Sequence, residues 1–264
     1  MSYKIAIISI CFLFLFQTTI FSDDNSFQWQ IGEELTYKVK WSFIRLGTLK
    51  LQVVDTLTID NKLVYHTKMF IDSNPLIFFV NMHSVFDSYI DTDFYPHLFI
   101  ADEKIDGITY KTRYRFSYSD SLIDIKMTDV KDTTHTIEKK LPLNEKVQDG
   151  MSMIFYARGN VHLKKTEKLT AFLEARKGKL DIHFSGKDKK IEINSIDSKM
   201  ETYGVHGKAY FKAIAGFGGK YRGWFATDNR RPPLKAEMKV FIGKVKVELE
   251  SWKKWEPQIS GIHK

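Results

Sequence analysis

The chain reads as a mainly β protein, an antiparallel meander forming a barrel, half-barrel or sandwich, with one short helix near residues 150–158. Three observations carry that reading. Apolar and polar residues alternate over most of the chain after Gly32, turn-forming pairs recur at intervals of about ten residues, and one segment alone has helical spacing.

The elements follow in chain order. In ELTYKVKW, Leu35, Tyr37, Val39 and Trp41 share a face opposite Thr36, Lys38 and Lys40. Leu49, Leu51 and Val53 then alternate with Lys50 and Gln52. In YKTRYRFSYS, Tyr110, Thr112, Tyr114, Phe116 and Tyr118 oppose Lys111, Arg113 and Arg115. Near the end, Ala236, Met238, Val240 and Ile242 oppose Lys235, Glu237 and Lys239, and Val245, Val247 and Leu249 continue the pattern. Successive side chains of a strand point to opposite faces, so each run has one apolar and one wet face. The turn pairs are Asp60-Asn61, Asp106-Gly107, Ser119-Asp120, Lys177-Gly178, Gly186-Lys187 and Gly243-Lys244. DGMSMIFYARG breaks the period: Asp149 is a good N-cap, Gly159 a good C-cap, and Met151, Ile154 and Phe155 recur at helical spacing. LNEKVQDG, from Leu143 to Gly150, is a joint between halves or a loop within one domain.

Residues 1–22 form a separate segment. Lys4 supplies a positive start, Ile5 to Phe16 an apolar run, and Gln17 to Ser22 a polar approach to a small residue. That is the pattern of a secretory signal peptide, and the run is short for a membrane span. The expectation is a mature chain of residues 23–264 forming a single antiparallel β domain; an uncleaved N-terminal anchor is the alternative. Cys11, the single cysteine, lies inside the apolar run behind Ile10, which does not suit lipid attachment. The mature chain then has neither a disulfide nor a thiolate metal site.

The formal net charge is +8 and is spread along the chain, with no basic run longer than three residues. This is a solvated basic surface and not a nucleic-acid patch. The partners left open are a lipid, an acidic glycan or an envelope protein, with peripheral contact with a membrane.

Motifs of catalysis are missing. The histidines are scattered singly, there is no HExxH and no GxSxG, and AGFGGKYRG lacks the spacing of a phosphate loop. No cofactor, metal or catalytic residue is indicated. In VFDSYIDTDFYPHLF, Asp87, Asp91 and Asp93 fall on one face of an extended segment, and glycoside chemistry needs two carboxyls. A wet strand face ending in an Asx turn is the preferred reading of these residues, with Asp91 alternatively held by a base such as Arg113 or Arg115.

The order of four stretches resembles one family. GEELTYKVKWSFIRLGTLKLQV is similar to its opening motif, FDSYIDTDFYPHLFIADEKIDGITYKTRYRF to its middle signature, and DGMSMIFYARG to its helix motif. GWFATDNRRPPLKAEMKVFIGKVKVEL is similar to its closing signature, with Trp224, Asp228, Arg230, Arg231 and Pro233 aligned. The chain thereby resembles the domain-of-unknown-function 3108 family of bacterial exported proteins over about residues 31–252. The resemblance implies an antiparallel β protein in the periplasm or outer envelope and brings no established activity.

RRPP must lie at a strand start, because proline cannot donate to a ladder. Its arginines either complete a hairpin corner or form an anion-binding edge; the expectation is Arg231 inward and Arg230 solvated. The candidate ligand-binding residues are Asp87, Asp91, Arg113, Arg115, Trp224, Asp228, Arg230 and Arg231. The function expected is a non-catalytic binding or envelope-maintenance domain; the apolar run Leu76 to Met82 reads first as core, and alternatively as a segment that lines or gates a cavity. The alternative is a polysaccharide-active enzyme using Asp87 or Asp91 with Asp149.

Overall fold

In the computed structural model the described residues are 26–76, 81–105, 108–132, 136–211, 218–240 and 243–258. The signal segment with its expected cleavage near Asp23, the Asp106-Gly107 turn and most of the run from Leu76 to Met82 lie outside them.

The first half is a meander of β1 (Glu34–Trp41), β2 (Ile44–Ile59), β3 (Lys62–Ser73), β4 (Met82–Asp91), β5 (Pro96–Ile105), β6 (Ile108–Ser117), β7 (Leu122–Asp129) and β8 (Thr136–Pro142). The helix α1 (Ser152–Asn160) follows. The second half is β9 (Lys164–Leu173), β10 (Arg176–Ile193), β11 (Ile196–Ala209), β12 (Gly219–Ala226), β13 (Pro233–Lys239) and β14 (Lys244–Lys253). The fourteen strands of the described residues join one antiparallel sheet in the order β8-β7-β6-β5-β4-β3-β2-β1-β14-β13-β12-β11-β10-β9. The first strand therefore pairs with the last, Glu34 opposite Lys253, and among the described residues β8 and β9 are unjoined edges. The mainly antiparallel β architecture with one short helix is the one expected, and the sheet is not closed.

Antiparallel pairing puts alternate turns at opposite ends of the sheet. One end, here the open end, carries the β1–β2, β3–β4, β11–β12 and β13–β14 connections; the other, the latch end, carries β2–β3, β4–β5 and β12–β13.

The expected inward residues are buried: Leu35, Tyr37, Leu51, Tyr114, Phe116, Val245 and Leu249. Their face wraps α1, which takes part in two apolar clusters. Met151 and Phe155 pack with residues from both halves of the sheet, whereas Tyr156 and Ala157 pack with Leu180, Ile182, Phe184 and Phe225.

Two expected turns are corrected. Lys177-Gly178 lies inside β10, and the β9–β10 turn is Glu174-Ala175, both at positive φ (49° and 56°). Gly178 is instead where the Phe211 ring packs on the backbone. Gly186-Lys187 is also internal to β10; Gly186, at φ 67°, forms a bulge where the register with β11 shifts. The helix runs past Gly159 to Asn160, so Gly159 is not its C-cap; it gives room to the Phe94 ring.

Candidate functional site

The RRPP corner at the latch end is a buried polar knot. Asp228 Oδ1 accepts from the backbone N–H groups of Arg230 (2.8 Å) and Arg231 (3.2 Å), and Asp228 Oδ2 accepts from Trp255 Nε1 at 3.0 Å. An Asx turn of this kind holds Arg231 at φ 44°. The Arg231 side chain is fully buried and donates towards the carbonyls of Arg158 (3.3 Å) and Gly159 (3.5 Å) at the end of α1. Arg230 is half-buried and donates to the Lys254 carbonyl. Arg231 thus points inward as expected, while Arg230 is not simply solvated.

Arg158 is the centre of the knot. Its Nη1 and Nη2 grip the two Glu33 oxygens at 2.7 and 2.8 Å, while Nε and Nη2 donate to the Arg230 carbonyl at 2.9 and 2.6 Å. Glu33 and Arg158 are 2 % and 1 % exposed, and the rings of Phe27 and Phe155 each lie 5.1 Å from the guanidinium carbon. Two-pronged charge-assisted bonds among aromatic rings fix both partners. The Gly-Glu opening, the Arg of the helix motif and the Arg-Arg-Pro closing therefore meet at one place.

Asp149 ties the middle signature to the helix. Its carbonyl accepts the first helical bond, from Met153, and its Oδ1 accepts from Met151 N (2.8 Å) and Ser152 N (2.6 Å). Ser152 Oγ accepts from Asp149 N at 2.8 Å, which makes the pair a reciprocal cap. Ser88 on β4 donates to Asp149 Oδ2 at 2.5 Å. Complete burial pushes the Asp149 carboxyl above the ordinary Asp range, against the pull of the Ser152, Ser88 and Met151 hydrogen bonds.

The remaining candidate residues are spread over the sheet. Asp91 closes the β4–β5 turn by accepting from Asp93 N and Tyr95 N, and His97 Nε2 lies 3.1 Å from its Oδ2. Its basic partners are His97 and, at 3.9 Å, Lys62, so the expected hold by Arg113 or Arg115 is corrected. Asp93 belongs to the turn, not to a shared face with Asp87 and Asp91. Burial favours the neutral form of Asp91, but His97 and the Tyr95 N–H outweigh it and hold the pKa below the ordinary range. Asp87 faces outward, 2.6 Å from His66 and 3.3 Å from Lys68, and these likewise outweigh partial burial to lower its pKa. Arg113 is exposed on the same outer face, two strands away across Ile100, and Arg115 pairs with Asp60 at 2.6 Å. Trp224 is buried under Lys189 and Arg222, whose cationic groups lie 5.3 and 5.5 Å from its ring. Asp228, Arg230 and Arg231 alone form a common cluster.

Asp87 and Asp149 lie on opposite faces of β4, since Asp87 points outward and its neighbour Ser88 reaches inward to Asp149. They cannot flank one glycosidic bond. Among the described residues, no group of three or more His, Cys, Asp or Glu is placed to hold a metal ion.

The concave side holds what sequence reading missed. A pocket of about 330 Å³ lies between α1 and the inner faces of β1, β2 and β9–β14. Leu49, Met153, Ile182, Phe225, Met238 and Val247 line it, and Phe211, Gly218 and Gly219 form its rim at the open end. Its size is within the range of small-molecule sites. The sequence shows these residues only as the apolar half of an alternating pattern, which is the same signal a filled core gives.

Fold and pocket define a half-open antiparallel β-barrel wrapped around a helix, with an apolar site on the concave side. The chain belongs to the DUF3108 family, described as a protein of unknown function, whose model matches residues 36–250. Among solved structures, it is similar to a β-barrel-like protein of the domain of unknown function DUF1849 from Brucella abortus. The TM-score is 0.55 at 13% identity, over 86% of this chain and 98% of that chain. That likeness shows the fold. More distant are a protein with a YmcC-like fold from Bacteroides fragilis, described as a candidate exported protein (TM-score 0.37, 10% identity, 87% of this chain and 99% of that chain), and a candidate lipoprotein from Parabacteroides distasonis (TM-score 0.30, 10% identity, 86% and 97%). No curated protein matches the chain.

Proposed function

We propose that the protein is an exported, non-catalytic binding domain that holds the apolar part of a lipid, an acyl chain, in the concave pocket. The observation that carries this reading is the pocket itself: about 330 Å³ walled largely by aliphatic and aromatic side chains, beside the buried cluster of Leu180, Ile182 and Phe225. Burying apolar surface there is worth roughly 25 cal/mol per Å² removed from water. The N-terminal pattern supports export, and the polar groups of the family's signature stretches support the pocket's walls because they bind one another across α1.

Native mass spectrometry of protein taken from its own envelope, followed by extraction, tests the reading. The wild type should carry a bound lipid or fatty acid. Ala236→Phe, which fills the pocket between Gly223 and Val247, should abolish it while the melting temperature stays near that of the wild type. Repeated preparations without any bound acyl chain, or equal loading of the variant, would end the proposal.

A further inference from the structure

The open end of the sheet combines apolar tips with lysines set opposite one another. Phe43, in the β1–β2 turn, is 88% exposed, and Leu76, in the β3–β4 connection, is 87% exposed. Isolated exposed apolar side chains are ordinary, but here the β3–β4 connection is bonded to the start of β2, next to the turn that carries Phe43. Asn74 donates its N–H to the Leu46 carbonyl at 2.7 Å and its amide to the Arg45 carbonyl at 2.9 Å, and its Oδ1 accepts from Leu76 N at 3.0 Å. The tips are therefore held together. Tyr210, 57% exposed, stands at the β11–β12 connection of the same end.

The cations have an unusual register. Lys40 is directly opposite Lys246, Lys208 opposite Lys220, and Lys239 opposite Lys244. Like charges directly across a strand pair destabilise a sheet, and here it occurs three times at one end. Of these six, Lys244 pairs with Glu237 at 3.3 Å, Lys246 stands opposite the same Glu237 in the β13–β14 register, and Lys208 lies 4.7 Å from the Tyr210 ring; among the described residues Lys40, Lys220 and Lys239 form no ion pair. Lys220, Lys239 and Lys244, with Arg222, line an outer cleft of about 580 Å³ beside these tips. The rim of the apolar pocket, at Phe211, Gly218 and Gly219, opens at this end as well.

We propose that the open end docks on an anionic lipid surface, with Phe43 and Leu76 entering the headgroup boundary and the lysine pairs gathering the lipid phosphates. Apolar insertion and electrostatic attraction are the two terms of peripheral membrane binding, and neither alone gives firm attachment. Each lysine pair keeps at least one cation outside any ion pair among the described residues, and an anionic partner turns the mutual repulsion of each pair into attraction. Docking in this pose sets the pocket rim against the membrane, but binding does not depend on what the pocket holds.

The test is co-sedimentation of the mature chain with phosphatidylcholine vesicles, with and without phosphatidylglycerol. Binding is expected with phosphatidylglycerol alone, weakening as salt shortens the screening length to below about 10 Å. Phe43→Ser/Leu76→Ser and Lys239→Gln/Lys244→Gln should each lower the affinity by about tenfold or more with unchanged melting. Ala236→Phe should bind vesicles like the wild type even when it carries no acyl chain, which separates this inference from the pocket reading. A wild type that stays in the supernatant, or a Phe43→Ser/Leu76→Ser protein that sediments equally well, overturns the proposal. So does a wild-type dimer made monomeric by Phe43→Ser/Leu76→Ser with vesicle binding intact, since the tips would then serve a second copy of the chain.

Discussion

Replacing Arg158 by methionine should be among the most damaging single changes available in this protein. The substitution leaves the Glu33 carboxylate, 2 % exposed, without the two donors at 2.7 and 2.8 Å, and strips the Arg230 carbonyl of its two bonds. Breaking a buried pair from one side costs about 3–5 kcal/mol, because the surviving charge stays in a poor dielectric. For a chain of this size that is a fall in Tm of roughly 6–20 °C. Removing both charges is a different perturbation. Glu33→Leu/Arg158→Met strands no ion and loses the two bonds to the Arg230 carbonyl, roughly 1 kcal/mol each. The double variant should therefore be more stable than Arg158→Met alone, and the two single losses should exceed the double loss by more than about 2 kcal/mol. Urea unfolding followed by tryptophan fluorescence reads all three, provided m is unchanged. An Arg158→Met midpoint within about 1 kcal/mol of wild type, or single effects that simply add, would refute the claim that this knot locks the helix to the corner.

Two further outcomes follow from the carboxylates. Asp149→Ala should cost roughly 0.5–2 kcal/mol for the lost cap and more for the stranded Ser88 hydroxyl. Asp149→Asn keeps the Oδ1 acceptor, so it should retain more stability than Asp149→Ala; an Asn variant as unstable as the Ala variant would contradict the role of Oδ1 at the helix start. Asp87 and Asp91 have folded pKa values below their ordinary value of about 3.9, so their stabilisation is present above that value and fades as pH falls through the lowered ones. Asp149 has the opposite sign: its contribution is present below the ordinary value and lost as pH rises through its raised folded pKa. Urea midpoints should therefore drop below about pH 4, and Asp91→Asn should flatten that drop. An unchanged acid slope in Asp91→Asn would show that the turn carboxylate does not carry it.

The strands were legible because burial has period two, and each run such as Leu35, Tyr37, Val39 kept one face inward. Lys38 departs from its wet-face reading: it is buried because Glu248 meets it at 3.3 Å, and Glu248 also meets Lys235 at 3.2 Å. The Glu174-Ala175 turn was illegible, since neither residue advertises the left-handed backbone it adopts. Asp149 was readable as an acceptor at the start of the helix, although the N-cap position is Met151, two residues on; the Asp149 bond to Ser88 was not readable. The knot joins Glu33 and Arg158, 125 residues apart, and alternation says nothing about which polar residues meet at that range. The pocket was least visible, because an unfilled volume depends on side-chain sizes across six or more strands together.

The pairing of β1 with β14 has a kinetic consequence. Glu34 and Lys253 are 219 positions apart (253 minus 34), so the seam at the middle of the sheet is among the most non-local contacts in the molecule. Each half is a chain of neighbouring hairpins that can zip locally, whereas this seam must wait for both halves and carries the largest closure entropy. Until then both strands expose unpaired edges with apolar faces, a state open to pairing with other chains. A shortened C-terminus that omits β14 would thus hold the chain permanently in that exposed state, with the edges of both β1 and β13 left unpaired and open to other chains.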